Sequence, residues 1–279
     1  MIDQATELRK LLLRSMRERA AAAGPQPRLL VLAGGRGGVG VTTLAVNLAM
    51  GLADQGLRVV IVDADVCRNN VAVLCGISQR PQAWDVLIAR RDIHEAMQLG
   101  PSGIQVVPGL WAPGEKADSS PLVQERLLRQ FRNLGPHADV VLLDVGSSPG
   151  EFTRRIAAVA SEVLVITTPD VATVMDSYSR VKMLLKSLGK NMPWLVVNLC
   201  NDSTAAGEAH RRMHESCVRF LGVGIRLLGF VPEDQETHPA GATSLPFMLR
   251  SPGCAAALAV QRLASTLACE WPDTSRHVA

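Results

Sequence analysis

The segment Arg36-Gly37-Gly38-Val39-Gly40-Val41-Thr42-Thr43 follows directly on the apolar run Leu29–Ala33 and has the glycines and hydroxyls of a phosphate-binding loop. Glycines at 37, 38 and 40 let successive backbone N–H groups turn toward one point, and a helix starting after them adds the positive end of its dipole. Thr42 is placed to ligate Mg²⁺, with Thr43 beside it on the α-phosphate side. Val41 stands where such loops carry the lysine that reaches the β- and γ-phosphates. The pattern points to a chain built for ATP and Mg²⁺ with its grip on phosphate weakened. The plain alternative, for the loop alone, is a tight strand-to-helix turn that holds no ligand.

Two acidic stations follow. Asp63-Ala64-Asp65 closes the apolar run Val59–Val62 and opens a loop, Val66–Asn70; Asp144-Val145-Gly146 closes the run Val140–Leu143. A carboxylate at a strand end can orient a metal-bound water, and a glycine two residues later lets the backbone follow a γ-phosphate. Asp63 and Asp144 are thus the candidates to hold Mg²⁺ through water, together with Thr42. A single aspartate at a strand end is usually a cap or turn former. Three stations in this order make a nucleotide site.

The elements that must carry these residues are legible as well. Leu29–Ala33, Val59–Val62, Ile104–Val107, Val140–Leu143, Val163–Thr167, Leu195–Leu199 and Ile225–Val231 read as strands. Helices are expected at about Thr43–Gln55, Pro121–Leu134, Glu151–Val159, Val174–Leu188, Ala206–Leu221 and Cys254–Ala268. Apolar runs without polar alternation, joined by crossover helices, predict an α/β fold: a mostly parallel twisted sheet with helices on both faces. Ligands in such folds sit at the carboxyl ends of the strands, where the glycine loop and both acidic stations fall.

The chain of 279 residues is long enough for one such domain plus an arm. Its formal charge of +3 is matched by residues 1–28, which carry six basic and three acidic side chains, so the body is formally neutral. Leu8, Leu11, Leu12 and Met16 fall at helical spacing and predict a short amphipathic helix over residues 1–23, followed by a glycine- and proline-bearing tether over 24–28. A main domain over 29–268 and a tail over 269–279 complete the organisation. Six cysteines without a C-x-x-C pair suggest neither a zinc site nor a disulfide framework, which fits a reducing cytoplasm. No apolar run is long enough to span a bilayer.

These motifs resemble the MinD/ParA family of deviant Walker P-loop ATPases, whose loop reads K-G-G-x-G-K-[ST], over residues 29 to about 268. By position, Arg36 aligns with the family's first lysine, which reaches a partner's nucleotide across a dimer, and Val41 with its ordinary P-loop lysine. The resemblance implies that Asp65 orients the attacking water, that Asp144 is the Walker B acid, and that Asn198 reads adenine beside the purine-side loop Val231-Pro232-Glu233-Asp234. Asp3-Gln4-Ala5-Thr6-Glu7-Leu8-Arg9 also fits the D-Q-A-x-x-L-R signature of the FlhG (FleN, YlxH) branch, as do Val165–Asp170 and Cys217–Val223. That branch regulates flagellar number and placement, and its N-terminal helix stimulates FlhF, a GTPase related to signal-recognition particle proteins. The residues implied in activating that partner are Gln4, Leu8 and Arg9. Basal-body or transcription-regulator proteins are implied as further partners, with a weak ATP-dependent homodimer, a place at the inner membrane or cell pole, and no nucleic acid.

Losing one charge-assisted hydrogen bond weakens ATP binding by roughly 10- to 100-fold, and losing one preorganised donor lowers a rate by about 100- to 1,000-fold. Three readings follow: an activator of a GTPase with a dormant or merely sensing ATP site, a slow dimerising ATPase, and a membrane-positioned division regulator. The last wants a basic amphipathic C-terminal helix, which Pro272 interrupts. His210 and His214, spaced i, i+4, read as solvated helix residues. Trp111, Trp194 and Trp271 are scattered in sequence, and Arg211, Arg212 and Arg219 read as an exposed helix face.

Overall fold

A computed structural model describes residues 26–65, 68, 70–77, 92–109, 121–188, 192–237 and 245–271. The expected amphipathic arm with Gln4, Leu8 and Arg9, the first two residues of the tether, Trp111 and most of the tail lie outside these residues. Strands run at β1 Arg28–Gly34, β2 Val59–Asp63, β3 Gln98–Leu99, β4 Gln105–Val107, β5 Val140–Asp144, β6 Glu162–Thr167, β7 Trp194–Val197 and β8 Arg226–Phe230. The helices are α1 Val41–Asp54, α2 Val71–Leu74, α3 Ile93–Ala96, α4 Pro121–Arg132, α5 Glu151–Val159, α6 Val171–Leu188, α7 Ser203–Leu221, α8 Phe247–Arg250 and α9 Ala255–Glu270. All seven expected strands and six expected helices are present, with ends shifted by up to three residues; β3, α2, α3 and α8 are additions. These four are two to four residues long, too short to show a period.

The sheet order is β3-β4-β2-β5-β1-β6-β7-β8, parallel throughout except for the β3–β4 edge pair. Strand alternation splits the core in two. Leu29, Val31, Ala33, Val141 and Leu143 face one side with Phe131, Phe152, Ile156, Val181 and Met213 of α4 to α7. Leu30, Leu32, Ile61, Leu142 and Ile166 face the other with Leu44, Leu48, Val260 and Leu263 of α1 and α9. Both faces of the sheet are covered, which is why the strand sequences lack polar alternation.

Helix ends follow local chemistry. Asp202 caps α7 by accepting from the Thr204 N–H at 2.9 Å, and Gly222, at φ 69°, closes it. Asp170 caps α6, accepting from both the N–H and hydroxyl of Thr173 at 2.9 and 3.1 Å; those bonds hold its carboxyl below the usual range. On α7, Arg212 pairs with Glu208 and Arg211 with Glu215, the expected solvated face. His210 and His214 correct the expectation made for them. They are partly buried, and each has a ring nitrogen 3.0 Å from the Ile225 carbonyl. They tie α7 to the start of β8, and no group of three or more metal-ligating side chains occurs among the described residues.

The amino edge of the sheet is fastened by a second unforeseen contact. Trp194 and Trp271, far apart in sequence, both donate their indole N–H to Glu162, at 2.8 and 2.7 Å. Arg226 lies 3.7 Å over the Trp194 ring and pairs with Glu270 at 2.9 Å. Three elements, β6, β7 and the end of α9, therefore meet on one carboxylate, and β8 joins them through Arg226. Glu162→Ala strands two partly buried donors, and its expected cost is about 2 kcal/mol. Urea unfolding followed by tryptophan fluorescence measures it, and a loss below about 0.5 kcal/mol, the scale of an ordinary surface change, would mean that water replaces the carboxylate.

Candidate functional site

Register decides where the chemistry lies. Asp63 and Asp144 are directly paired across β2 and β5, while β1, the neighbour of β5 on its other side, ends at Gly34 and opens the glycine loop. Three strand ends at the centre of the sheet thus deliver the loop and both acidic stations to one edge, as the sequence predicts. The cleft there has a volume of about 260 Å³ and is lined by loop residues 36–38 and 40–43, by Asp65, Arg68, Asn70, Val73 and Leu74 from beyond β2, and by Gly146 and Ser147.

The loop has the backbone of an anion cradle. Gly38 and Gly40 take φ of 88° and 87°, and the Gly40 carbonyl accepts the Leu44 N–H at 2.9 Å to start α1. Gly35 is required by close approach: a Cβ there would stand 2.2 Å from the Ser177 nitrogen of α6. Val41 is 6 % exposed and belongs to the core layer of Leu44 and Leu48. A Cβ on Gly34 would come within 2.7 Å of Val41 Cγ2 and 2.8 Å of Val39 Cγ2. Val41 therefore contributes packing.

Below the loop the carboxylates are sunk. Asp144 accepts the Gly146 N–H at 2.9 Å through Oδ1, while its Oδ2 is buried without a hydrogen-bond partner. Burial pushes its carboxyl up to about 6, against the Thr42 hydroxyl and the Gly146 amide, which favour the charged form. Asp63 accepts from the Val71 and Asp65 amides at 3.0 and 3.3 Å. Burial first, and the charge of Asp144 second, push its carboxyl well up. Adjacent buried carboxylates with an orphaned oxygen suit a divalent cation. Thr42, Asp63 and Asp144 therefore fit Mg²⁺, which would supply a charge to phosphate oxygens. Asp65 accepts from the Ser148 hydroxyl at 3.2 Å, and a Cβ on Gly146, at φ 57°, would overlap Asp65 Oδ2. A glycine at 146 is what lets the β5 loop pass over Asp65.

Not all expected residues reach the cleft. Asn198 donates to the Val39 carbonyl at 2.8 Å and lies beneath Gly40, bracing the loop from β7, and neither it nor Pro232 lines the cleft. Arg36 is half exposed and 3.4 Å from Asp176 of α6. Sequence reasoning missed Arg180, whose guanidinium donates to the carbonyls of Gly34 at 3.0 Å, Ser148 at 2.9 Å and Ser147. A signal existed: Thr173, Ser177, Arg180 and Leu184 share one buried helical face, where an arginine is unusual.

The raised carboxyls make a pH prediction. Between about pH 4 and 6 the folded chain keeps a proton on Asp144 that the unfolded chain has lost, so this group's contribution to stability falls as pH rises through that window. Asp144→Asn mimics the protonated form. Its stability relative to the natural chain should therefore increase by about 2 kcal/mol between pH 4 and pH 7. Denaturant unfolding of both proteins without Mg²⁺ at the two pH values tests this, and a constant difference refutes it.

Comparison with known proteins agrees with this geometry. Residues 30–247 match the model of the CobQ/CobB/MinD/ParA nucleotide binding domain. The antiactivator FleN of Pseudomonas aeruginosa is 27 % identical over 245 residues, covering 88 % of this chain and 87 % of FleN. Among solved structures, the cell division ATPase MinD of Pyrococcus furiosus superposes with a TM-score of 0.71 at 23 % identity, over 88 % of this chain and 99 % of that one. MinD of Pyrococcus horikoshii, solved with Mg-ADP, gives 0.68 at 21 %, over 86 % and 96 %. These two likenesses concern the fold, and the matched nucleotide-binding model carries the family. The chain belongs to the CobQ/CobB/MinD/ParA family of nucleotide-binding domains.

Proposed function

We propose that this chain is a FlhG-like regulator of flagellar number and placement. In this reading residues 1–23 stimulate an FlhF-type GTPase of the signal-recognition-particle class, while the chain's own ATP site binds weakly and hydrolyses slowly or not at all. The supporting observation is the conjunction of Asp3-Gln4-Ala5-Thr6-Glu7-Leu8-Arg9 with a domain that resembles FleN along nearly its whole length. FleN is an antiactivator, which fits a regulatory role. Val41 supports the dormant site, because packing under Gly34 replaces the charge that phosphate chemistry uses. The domain boundaries at 23, 28 and 268 and the roles of Gln4, Leu8, Arg9, Arg36, Asp65, Asn198 and Pro232 belong to the same proposal. So do a cytoplasmic protein at the inner membrane or cell pole and a weak ATP-dependent dimer. No described helix is long and apolar enough to cross a membrane.

A second reading, an active dimerising ATPase of the MinD type that positions flagella or the division site, draws on the retained Asp63, Asp65 and Asp144. Turnover separates the two. Under the first, steady-state ATP hydrolysis is at least about 100-fold slower than in Val41→Lys. Equal rates, abolished by Asp65→Ala, would favour the second.

The arm is tested by itself. A peptide of residues 1–23 should accelerate GTP hydrolysis by an FlhF-type partner. Gln4→Ala should remove the acceleration and leave binding, because the stripe Leu8, Leu11, Leu12 and Met16 supplies affinity and the amide orients water. A peptide that binds without accelerating, or a Gln4→Ala peptide that accelerates as well, removes the FlhG reading.

A further inference from the structure

Val41 removes a positive charge from the floor of the cleft, but another cation enters from the opposite wall. Arg68, in the loop between β2 and α2, lays its guanidinium beside the glycine loop: Nη1 and Nη2 are both 3.8 Å from the point a Cβ on Gly37 would occupy. Ser147 Oγ is 3.9 Å from the same point, so the guanidinium, the loop and the segment after β5 converge on one place.

We infer that Arg68 is a phosphate-binding residue, which supplies from the loop after β2 the charge that Val41 withholds, and that its ligand is the polyphosphate of a nucleoside di- or triphosphate. The inference rests on the nucleotide site proposed above.

Three observations carry it. Arg68 is exposed and has no hydrogen-bond or ion-pair partner among the described residues, whereas Arg36 is paired with Asp176 and Arg180 is bound to three carbonyls. Its charge therefore remains available to an anion. It also lines the same cleft as the Gly37–Thr43 segment, so a phosphate on those amides lies alongside it. The orphaned Oδ2 of buried Asp144 lies below, behind Thr42, and a cation brought in with the phosphates would satisfy it.

The residue type suits the route. A guanidinium is a planar fork that meets two phosphate oxygens at once, and its long stem can reach across a cleft from the far wall. A lysine in the loop approaches from the start of its own helix.

The test is equilibrium binding of ATP and of ADP, each with Mg²⁺, to the full chain by calorimetry. Arg68→Gln should weaken both by roughly 10- to 100-fold, and Arg68→Lys should fall between it and the natural protein. Adding Val41→Lys to Arg68→Gln should restore binding, because the charge returns by the other route; this arm also shows that the Arg68→Gln chain is folded. If Arg68→Gln binds both nucleotides as tightly as the natural chain, the assignment of Arg68 fails and the nucleotide site stands. If the natural chain binds neither at millimolar concentration, both fail.

Discussion

A guanidinium buried beneath the cleft holds the site in one piece. Arg180 projects from α6 and donates to the carbonyl that ends β1 and to two carbonyls of the segment that follows β5. The backbone pairing of β1 with this segment runs only as far as the Gly34 N–H on the Gly146 carbonyl, at 2.9 Å, and the guanidinium carries the connection on to Ser147 and Ser148. Burial works against the charge, and the Asp65 carboxylate favours it. Asp65 and Arg180 are thereby linked: the carboxylate proposed to face attacking water also balances the cation that positions the loop above it. Truncating either leaves the other charge buried and uncompensated, which is more damaging than losing a hydrogen bond. The close passage of α6 over Gly35 belongs to the same clamp, since Ser177 lies one helical turn before Arg180.

Valine at position 41 serves the fold. Valine joins a core layer with Leu44 and Leu48 and closes over Gly34 with Val39, so the loop keeps its shape without the ammonium. What it alters is electrostatic. Asp63 and Asp144 remain desolvated beside each other, and a nearby cation would have relieved them. The two carboxyls stay side by side because the β2–β5 register pairs Asp63 with Asp144.

The sequence displayed most of this architecture because its signals were local. Continuous apolar runs identified the parallel strands, and glycines at 38 and 40 announced the left-handed turns before α1. Asp63 and Asp144 were legible as strand ends, although their pairing required the register. What escaped was made by long-range convergence. Trp194, Trp271 and Glu162 meet from positions up to 109 residues apart. Arg180 contacts residues 32, 33 and 146 positions away. His210 and His214 looked solvated because the strand that covers them comes later in the chain. Asn198 was expected at adenine through family likeness, yet its amide spans from β7 to the Val39 carbonyl, a brace that no local pattern could reveal.

The direction of β1 separates the two activities in the proposed reading. The chain enters the domain at Arg28, on the amino edge of the sheet, where Arg28 approaches the Glu162 carboxylate to 3.7 Å and lies over Trp271. It reaches the phosphate cleft only at Gly34, at the other end of this seven-residue strand, a distance of roughly 20 Å. In the proposed reading the arm joins the domain at Arg28, at the end of β1 away from the cleft, and its action on a partner is separate from what the cleft does. β1 is flanked on both sides by parallel partners and is almost wholly buried, which makes it a rigid spacer. In that reading the cleft and the arm are two stations attached at opposite ends of one buried strand.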